Sequence, residues 1–577
     1  MAKLCDDFET NQEESKFELC DTIRAVLRSF PKSNFDDEVR HPWLPKLQNG
    51  LNDILFSKIG KSQRDPAMIL VAAVIEVSDF EWCLADVKED TSASEKGSKF
   101  FQIVCNLACI EVIMNLEEKQ LDEEVLENSE LLVACYFIIE SAVSYLSSQG
   151  DRIPSHVLDA RQREQLYTAL KNAFSTIIKF LHELSVSQST LNSSDPKIKY
   201  FVCATIRLLG AWLSEETLAL REDVYDVLSF ILTVANETFE SQKLAKLQTL
   251  PGRGSTDFSN FTEETMLQRQ GDLLTPDTLR FLLPALCHLV VEDKPRKIVL
   301  NMKLHETLYT YLSYHWSIFD SFKHWLAQQA AAEDDVDVAE PLFMIDNSKF
   351  EMVNSRYAMT TICNVLMNIT VLEPQYVNET PIFFHILKFI MNSLPTLDNN
   401  EDLVLIGNLS VLGLLILRHH SRRPKSTDYS LPRFFQAIVR FLWDAHNCEE
   451  SLDEEELGVS TNYLNHWNDL VDLWYLGMQV LANLITQIPW ITEFVMETGW
   501  PLEVLRTLSK VRRGGIVSSS AKTSLEELLC SLIKSGNKDV HDEFRKCNVI
   551  AVCQTHQLKD LATLISGGNR QPKGKDS

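Results

Sequence analysis

Between Phe201 and Leu232 the chain reads FVCATIRLLGAWLSEETLALREDVYDVLSFIL, and few folds accommodate such a stretch. Val202, Ile206, Leu209 and Leu213 recur at steps of four, three and four, which places them on one side of a helix. Val224, Val227, Leu228 and Ile231 do the same at steps of three, one and three. Ser214-Glu215-Glu216-Thr217 lies between, with a capping-type hydroxyl and carboxylates that favour the start of the next helix. Phe201, Leu208 and Trp212 fall off the main stripe, so the pair needs cover from neighbouring hairpins. A helical hairpin that cannot stand alone is the repeating layer of an α-solenoid.

The rest of the chain supports that reading. At 577 residues it is too long for one compact core and long enough for many stacked layers. Only 19 glycines and 19 prolines are present, as expected of a largely helical chain. A formal net charge of −26 disfavours nucleic acid and anionic membrane as general partners, because the long-range field repels phosphate. The 13 cysteines are scattered through apolar runs, with Cys105 and Cys109 one helical turn apart. No paired CxxC or HxxxH supplies further ligands, so buried reduced thiols and a reducing compartment are expected. The acidic start, MAKLCDDFETNQEE, is not a signal peptide. The most apolar run, Val404–Leu417, is shorter than the roughly 20 residues of a spanning helix. It reads as a central helix covered on nearly all sides, and no transmembrane segment is expected.

Helices are expected at 15–30, with Pro31 as the stop, at Leu44–Ile59, from Asp65-Pro66 to Val77, and at Phe100–Leu116. A polar loop at Asp86–Lys96 and an acidic run at Glu117–Glu130 flank the last of these. Further helices fall near Leu131–Leu146, Arg163–Leu184, Pro196–Leu213, Pro276–Val291, His305–Gln329, 349–372, 380–394, 401–419, 431–445, 464–487, 490–497, 501–510, 522–534 and 538–553. Pro284 should kink or break its helix. Segments 106–116, 206–216, 364–374, 409–419 and 478–488 share an apolar pattern, and the step from 364 to 409 is 45 residues. That step falls within the armadillo/HEAT period of about 40–47. The fold class is thus all-α, an armadillo/HEAT-like α-solenoid of stacked helical hairpins over residues 1–566. Long surface loops are expected near 247–275, 330–348 and 446–460, and a disordered tail over 567–577; no convincing strand is found.

No catalytic residue, cofactor site or metal site is nominated. GxxxxGK[ST], GxGxxG after a strand, GxSxG and HExxH are all missing from the sequence. His419-His420 sits where a helix C-terminus favours a donor side chain, and Cys287-His288 point apart on a core helix. Glutamate runs such as Glu454-Glu455-Glu456 read as solvated surface. Three surface features are candidates for binding. Arg418, Arg422, Arg423 and Lys425 form a basic loop suited to an acidic peptide or lipid headgroup. Lys510, Arg512 and Arg513 form a second basic cluster before Gly514-Gly515. Asn364 and Asn368, one turn apart, could hold the backbone of an extended peptide, as asparagines do in armadillo proteins.

The motifs SKFELC (15–20), LQNGLNDILFSKIGKSQRDPA (47–67), GSKFFQIVCNLACIEV (97–112), VACY (133–136), IRLLGAWLSEET (206–217), LRFLLPALCHLVVEDKPR (279–296), LSVLGLLILR (409–418) and LWYLGMQV (473–480) combine core, turn and charged residues in a fixed order. In these the chain resembles the neurochondrin (norbin) family. The resemblance implies a cytosolic, non-enzymatic regulator of neuronal signalling that promotes neurite outgrowth, found in dendrites and neurites and peripherally on endosomal or postsynaptic membranes. Its implied partners are tails of G-protein-coupled receptors, including a metabotropic glutamate receptor, and calcium/calmodulin-dependent protein kinase II, whose phosphorylation it restrains. A general helical-repeat transport or assembly scaffold is the alternative. The family has a helical segment ahead of SKFELC and an N-terminal cysteine pair linked with palmitoylation. Here the chain begins just before SKFELC, as a short isoform, partial gene model or divergent member would, and Met1–Cys5 holds no such pair. Residues 1–14 read as too polar to cap the end of the stack. The partner-binding residues and the oligomeric state are left open by the sequence.

Overall fold

A computed structural model describes the chain apart from residues 30–41, 89–90, 118–127, 150–157, 188–195, 249–276, 333–341, 399, 421–429, 452–453, 517, 537 and 568–577. It divides into two compact units, Met1–Thr249 with Arg253–Leu304, and Leu250–Gly252 with His305–Ser577. The first holds α1 (Ala2–Thr10), α2 (Ser15–Ser29), α3 (Leu44–Leu55), α4 (Lys61–Ser78), a 3-10 segment (Phe80–Lys88), α5 (Thr91–Leu116), α6 (Ser129–Gln149), α7 (Ala160–Ser187), α8 (Pro196–Glu215), α9 (Arg221–Gln248), α10 (Thr278–Leu289) and α11 (Asp293–Asn301). They pack as two rows. One row runs α2, α4, α6, α8, α10; the other runs α1, α3, α5, α7, α9, α11, with the 3-10 segment lying against α5. Each helix thus touches its predecessor in the same row as well as its hairpin partner, which is how stacked hairpins bury apolar surface on more than one side.

The hairpin that shaped the sequence reading is α8 with α9, and the structure covers its off-stripe residues as expected. Trp212 stacks on Phe174 of α7 at 4.5 Å between ring centroids, and Phe201 lies 6.0 Å from Tyr136 of α6. Its turn works differently from the expectation. Ser214 Oγ donates back to the Ala211 carbonyl, whereas the Glu216 carboxylate accepts from the backbone N–H groups of Leu218 and Ala219. A carboxylate two and three residues ahead of those amides satisfies donors within the turn itself, before the next helix begins at Arg221, that a serine already bonded to its own helix cannot reach.

Several boundaries correct the sequence reading. Residues 1–14 were expected to be too polar to cap the stack, yet α1 forms and buries Cys5 and Phe8 completely. Two side chains suffice because α1 lies against α3 at Gly50, whose missing side chain makes room for the Phe8 ring, and Lys46 pairs with Asp6. The polar loop expected over Asp86–Lys96 is largely regular, occupied by the 3-10 segment and the first turns of α5. Pro284 does not break its helix: α10 continues through it from Thr278 to Leu289.

The second unit holds α12 (Leu304–Ala332), α13 (Leu342–Leu372), α14 (Pro374–Glu379), α15 (Pro381–Ser393), α16 (Leu403–His420), α17 (Ser430–Trp443), β1 (His446–Ser451), β2 (Glu454–Val459), α18 (Thr461–Leu464), α19 (Trp467–Gln487), α20 (Pro489–Glu497), α21 (Trp500–Lys510), α22 (Ser519–Ser535), α23 (Lys538–Lys546), α24 (Val549–His556) and α25 (Lys559–Gly567). Its spine is the row α13, α16, α19, α22, α25. α16 is the buried centre: its 18-residue window is 83% buried. Three helices, Gly97–Leu116, Ser129–Gln149 and Leu403–His420, are long and apolar enough by length and composition to cross a membrane, so the expected shortfall of the third is corrected. In this fold at least half of each window is buried in protein instead.

Other segments depart from expectation in this unit. Residues 342–348 extend α13 rather than a loop, and the helix expected over 538–553 is split at Asn548, which takes φ 56°. The loop expected near 446–460 is an antiparallel hairpin pairing His446 with Val459 through Ser451 with Glu454. Glutamate-rich strands carry weak β-propensity. This pair is held from its ends: His446 packs 4.6 Å from Trp474, and the Leu457 N–H donates to the Gly515 carbonyl at 2.8 Å. Of the repeat-like segments, those at 206, 364, 409 and 478 lie in the spines of the two units, on α8, α13, α16 and α19. The segment at 106–116 belongs to α5 in the opposite row.

Candidate protein-binding face

The core side of α13 is set by Ala358, Met359, Ile362, Cys363, Val365, Leu366 and Ile369, all fully buried. Its other side is unusual for a helix in a packed stack. Phe350, Val353, Tyr357 and Val371 are 62%, 57%, 55% and 54% exposed. They stand at 350, 353, 357 and 371, and Asn364 and Asn368 occupy the same stripe, half-buried, between the aromatic end and Val371. At 1.5 Å per residue the stripe is about 31 Å long. Scattered exposed apolar residues are ordinary, whereas Phe350, Val353 and Tyr357 on successive turns of one helix face form a patch of the kind that interaction surfaces carry.

The stripe is held rigidly from behind. Asp402, 1% exposed, accepts from Arg356 Nε at 2.7 Å and Lys323 Nζ at 3.2 Å, and from the Asp398 backbone N–H at 3.1 Å. The Arg356 guanidinium also reaches Glu401 at 3.3 Å and lies 5.3 Å from the Phe319 ring. His315 Nδ1 meets Ser355 Oγ at 3.2 Å on the buried side. Arg356 directly precedes Tyr357, so this network fixes the rotation of α13 and with it the direction of the stripe. Chemically the face offers two aromatic rings and aliphatic groups at one end and the half-buried Asn364 carboxamide toward the other, with Asn368 already engaged within the fold. A carboxamide both donates and accepts, which matches the alternating N–H and C=O of an extended backbone.

Of the residues singled out in the sequence, Asn364 and Asn368 are therefore brought onto one surface, together with apolar neighbours that periodicity alone assigns to a core. Arg418 is exposed at the end of α16, while Arg422, Arg423 and Lys425 lie outside the described residues. The second basic cluster is partly spent, since Arg512 pairs with Glu456 of the hairpin; Lys510 and Arg513 are exposed. Among the described residues no group of three or more His, Cys, Asp or Glu could hold a metal ion. Every cysteine that is described is free, and burial pushes the Cys109 thiol up to about 12 and that of its neighbour Cys105 well above its usual value. His419 is held below the usual imidazole range by burial and by Arg418.

Comparison with known proteins gives a consistent result. A model of the neurochondrin family matches residues 1–474. The chain is 35% identical to the neurochondrin homolog of Drosophila melanogaster, over 97% of this chain and 72% of that protein. It is 30% identical to neurochondrin of Homo sapiens, over 88% of this chain and 62% of that protein, and 29% identical to that of Gallus gallus, over 89% and 66%. The chain therefore spans about three-fifths to seven-tenths of the length of these relatives. Among solved structures it is similar to an engineered protein at a TM-score of 0.42 and 12% identity, covering 98% of this chain and 97% of that one. A structure concerning the interaction of cadherin and beta-catenin gives 0.40 and 10%, covering 98% of each, and neither superposition bears on function. The sequence match over most of its length is what decides: the chain belongs to the neurochondrin family.

Proposed function

We propose that this chain is a non-enzymatic cytoplasmic adaptor of neuronal signalling that holds extended segments of partner proteins on the exposed face of α13. The observation that carries the reading is the row Phe350, Val353, Tyr357, Asn364, Asn368, Val371, an apolar and carboxamide stripe backed by the buried Asp402 network. On this reading the partners are those the family resemblance suggests: cytoplasmic tails of G-protein-coupled receptors, a metabotropic glutamate receptor among them, and calcium/calmodulin-dependent protein kinase II, whose phosphorylation the adaptor restrains. Neurite outgrowth is the cellular outcome of that reading, with the protein in dendrites and peripherally on endosomal or postsynaptic membranes.

The test is capture of synthetic receptor-tail peptides by the full chain and by the double variant Phe350→Glu, Tyr357→Glu. Both positions are exposed, so stability should change by no more than about 0.5 kcal/mol. The wild type should retain a tail peptide and the double variant should lose it. Failure of the wild type to bind any tail removes the adaptor reading; equal binding by both proteins removes α13 from the interface.

A further inference from the structure

A second surface lies in the second unit, on residues other than those of the α13 face. An open cleft of about 740 Å³ runs between the end of α15, the 3-10 turn Leu394–Thr396 that follows it, and one side of α17. Binding clefts usually measure roughly 300–1,000 Å³. The polar lining is Asn392, Thr396, Ser430, Arg433, Gln436 and Arg440, and among the described residues no carboxylate lines the cleft. On a chain of net charge −26 this is a local reversal of sign.

Neighbouring acids leave both cations available. Arg433 is exposed, and its side chain has no partner among the described residues. Arg440 meets Asp444 through Nε at 3.4 Å, in a pair whose side chains are 64% and 46% exposed. Such a solvated pair is weak, and the terminal guanidinium nitrogens of Arg440 bond to nothing else among the described residues. Asp398, next to Leu397 of the lining, accepts from the Asn400 backbone N–H at 2.8 Å, while Glu401 and Asp402 are held by Arg356 and Lys323. More distant acids are screened beyond about 8 Å at physiological ionic strength, so the charges of the cleft itself decide what enters it.

The spacing of the two arginines selects the occupant. Seven residues apart, they share a side of α17 and stand about 10.5 Å apart along it, with Gln436 between them. In a polyproline-II segment, residues i and i+3 share a side about 9.3 Å apart, and the backbone N–H and C=O groups make no internal bonds. We propose that this cleft holds an extended acidic segment of a partner protein, with carboxylates at i and i+3 meeting Arg433 and Arg440. The Gln436 and Asn392 carboxamides serve the backbone between them, and the half-buried Pro395 and Leu397 receive an apolar side chain of the same segment.

The probe is the blocked peptide Gly-Ser-Glu-Leu-Pro-Glu-Ser-Gly, carrying the uncharged dye 7-methoxycoumarin and titrated into the full chain at physiological ionic strength by fluorescence anisotropy. It should bind saturably. Versions with Gln-Leu-Pro-Gln or the permuted Glu-Glu-Leu-Pro at the centre should each bind at least about tenfold more weakly. Arg433→Glu and Arg440→Glu, both at exposed positions, should each weaken the acidic peptide at least about tenfold. Arg513→Glu makes the same charge change at an exposed residue outside the cleft and should leave the affinity within about twofold. The double variant Phe350→Glu, Tyr357→Glu should keep the acidic peptide, which separates the cleft from the α13 face; its loss there would place the peptide on α13 and overturn the proposal. Absence of saturable binding, equal affinity for the glutamine or permuted peptide, or a loss in Arg513→Glu as large as in Arg433→Glu would overturn it too. So would sedimentation with phosphatidylserine vesicles that depends on Arg433 and Arg440 while the peptide fails to bind, an outcome that makes the cleft a membrane contact.

Discussion

At the scale of single residues, Trp212 and His446 each tie their own segment to a distant one. Trp212→Ala removes the stack on Phe174 and leaves a cavity in α8, and should cost about 3–5 kcal/mol by urea denaturation; Trp212→Phe should keep most of that. His446 lies against Trp467 and Trp474, and burial lowers its pKa from 6.5 to about 4. The unfolded chain therefore binds a proton at this site below about pH 6.5 that the folded chain refuses until about pH 4. The stability contributed by the neutral buried ring is present above pH 6.5 and is lost as the pH falls toward 4. The melting temperature of wild type should accordingly fall over that window more steeply than that of His446→Phe. Trp212 was legible in the sequence because its position off the helical stripe demands a neighbour. The role of His446 was not, because its partners are 21 and 28 residues away and its own segment reads as acidic loop.

At the scale of elements, close approach decides what periodicity cannot. A side chain on Gly50 would place its Cβ 2.4 Å from the Phe8 ring, so α1 can lie on α3 only where α3 has no side chain. Gly50→Ala should displace α1 and cost about 1–3 kcal/mol, read as earlier proteolytic cleavage within the first helix during urea titration. Asp402 plays the matching part for α13. Asp402→Ala strips Arg356 and Lys323 of their buried partner and should cost about 3–5 kcal/mol by chemical denaturation. The same variant should weaken receptor-tail capture, since α13 is then free to rotate its exposed stripe. The core positions of α13 follow from its spacing, and the two asparagines could be picked out as candidates. That Phe350, Val353 and Tyr357 face outward could not, because an apolar residue looks the same in sequence whether or not a neighbour covers it.

At the scale of the whole molecule, the net charge of −26 is the dominant long-range feature. Association with a basic partner segment should slow several-fold between low and physiological ionic strength, and stopped-flow mixing at a series of salt concentrations measures it. The charge reads directly from composition, as does the all-α class, since helical spacing survives in nearly every segment and turn formers are scarce. Family membership was also legible, in turn and charge motifs such as RLLGAWLSEET that no generic amphipathic helix reproduces. The sequence by itself thus determined which segments are helices, which of their sides are apolar and that hairpins must stack. Tertiary structure alone decided which apolar sides remain uncovered and that an acidic segment pairs as strands. Periodicity is a local property set within a few turns of one helix, whereas exposure and strand pairing depend on which distant segment arrives beside it.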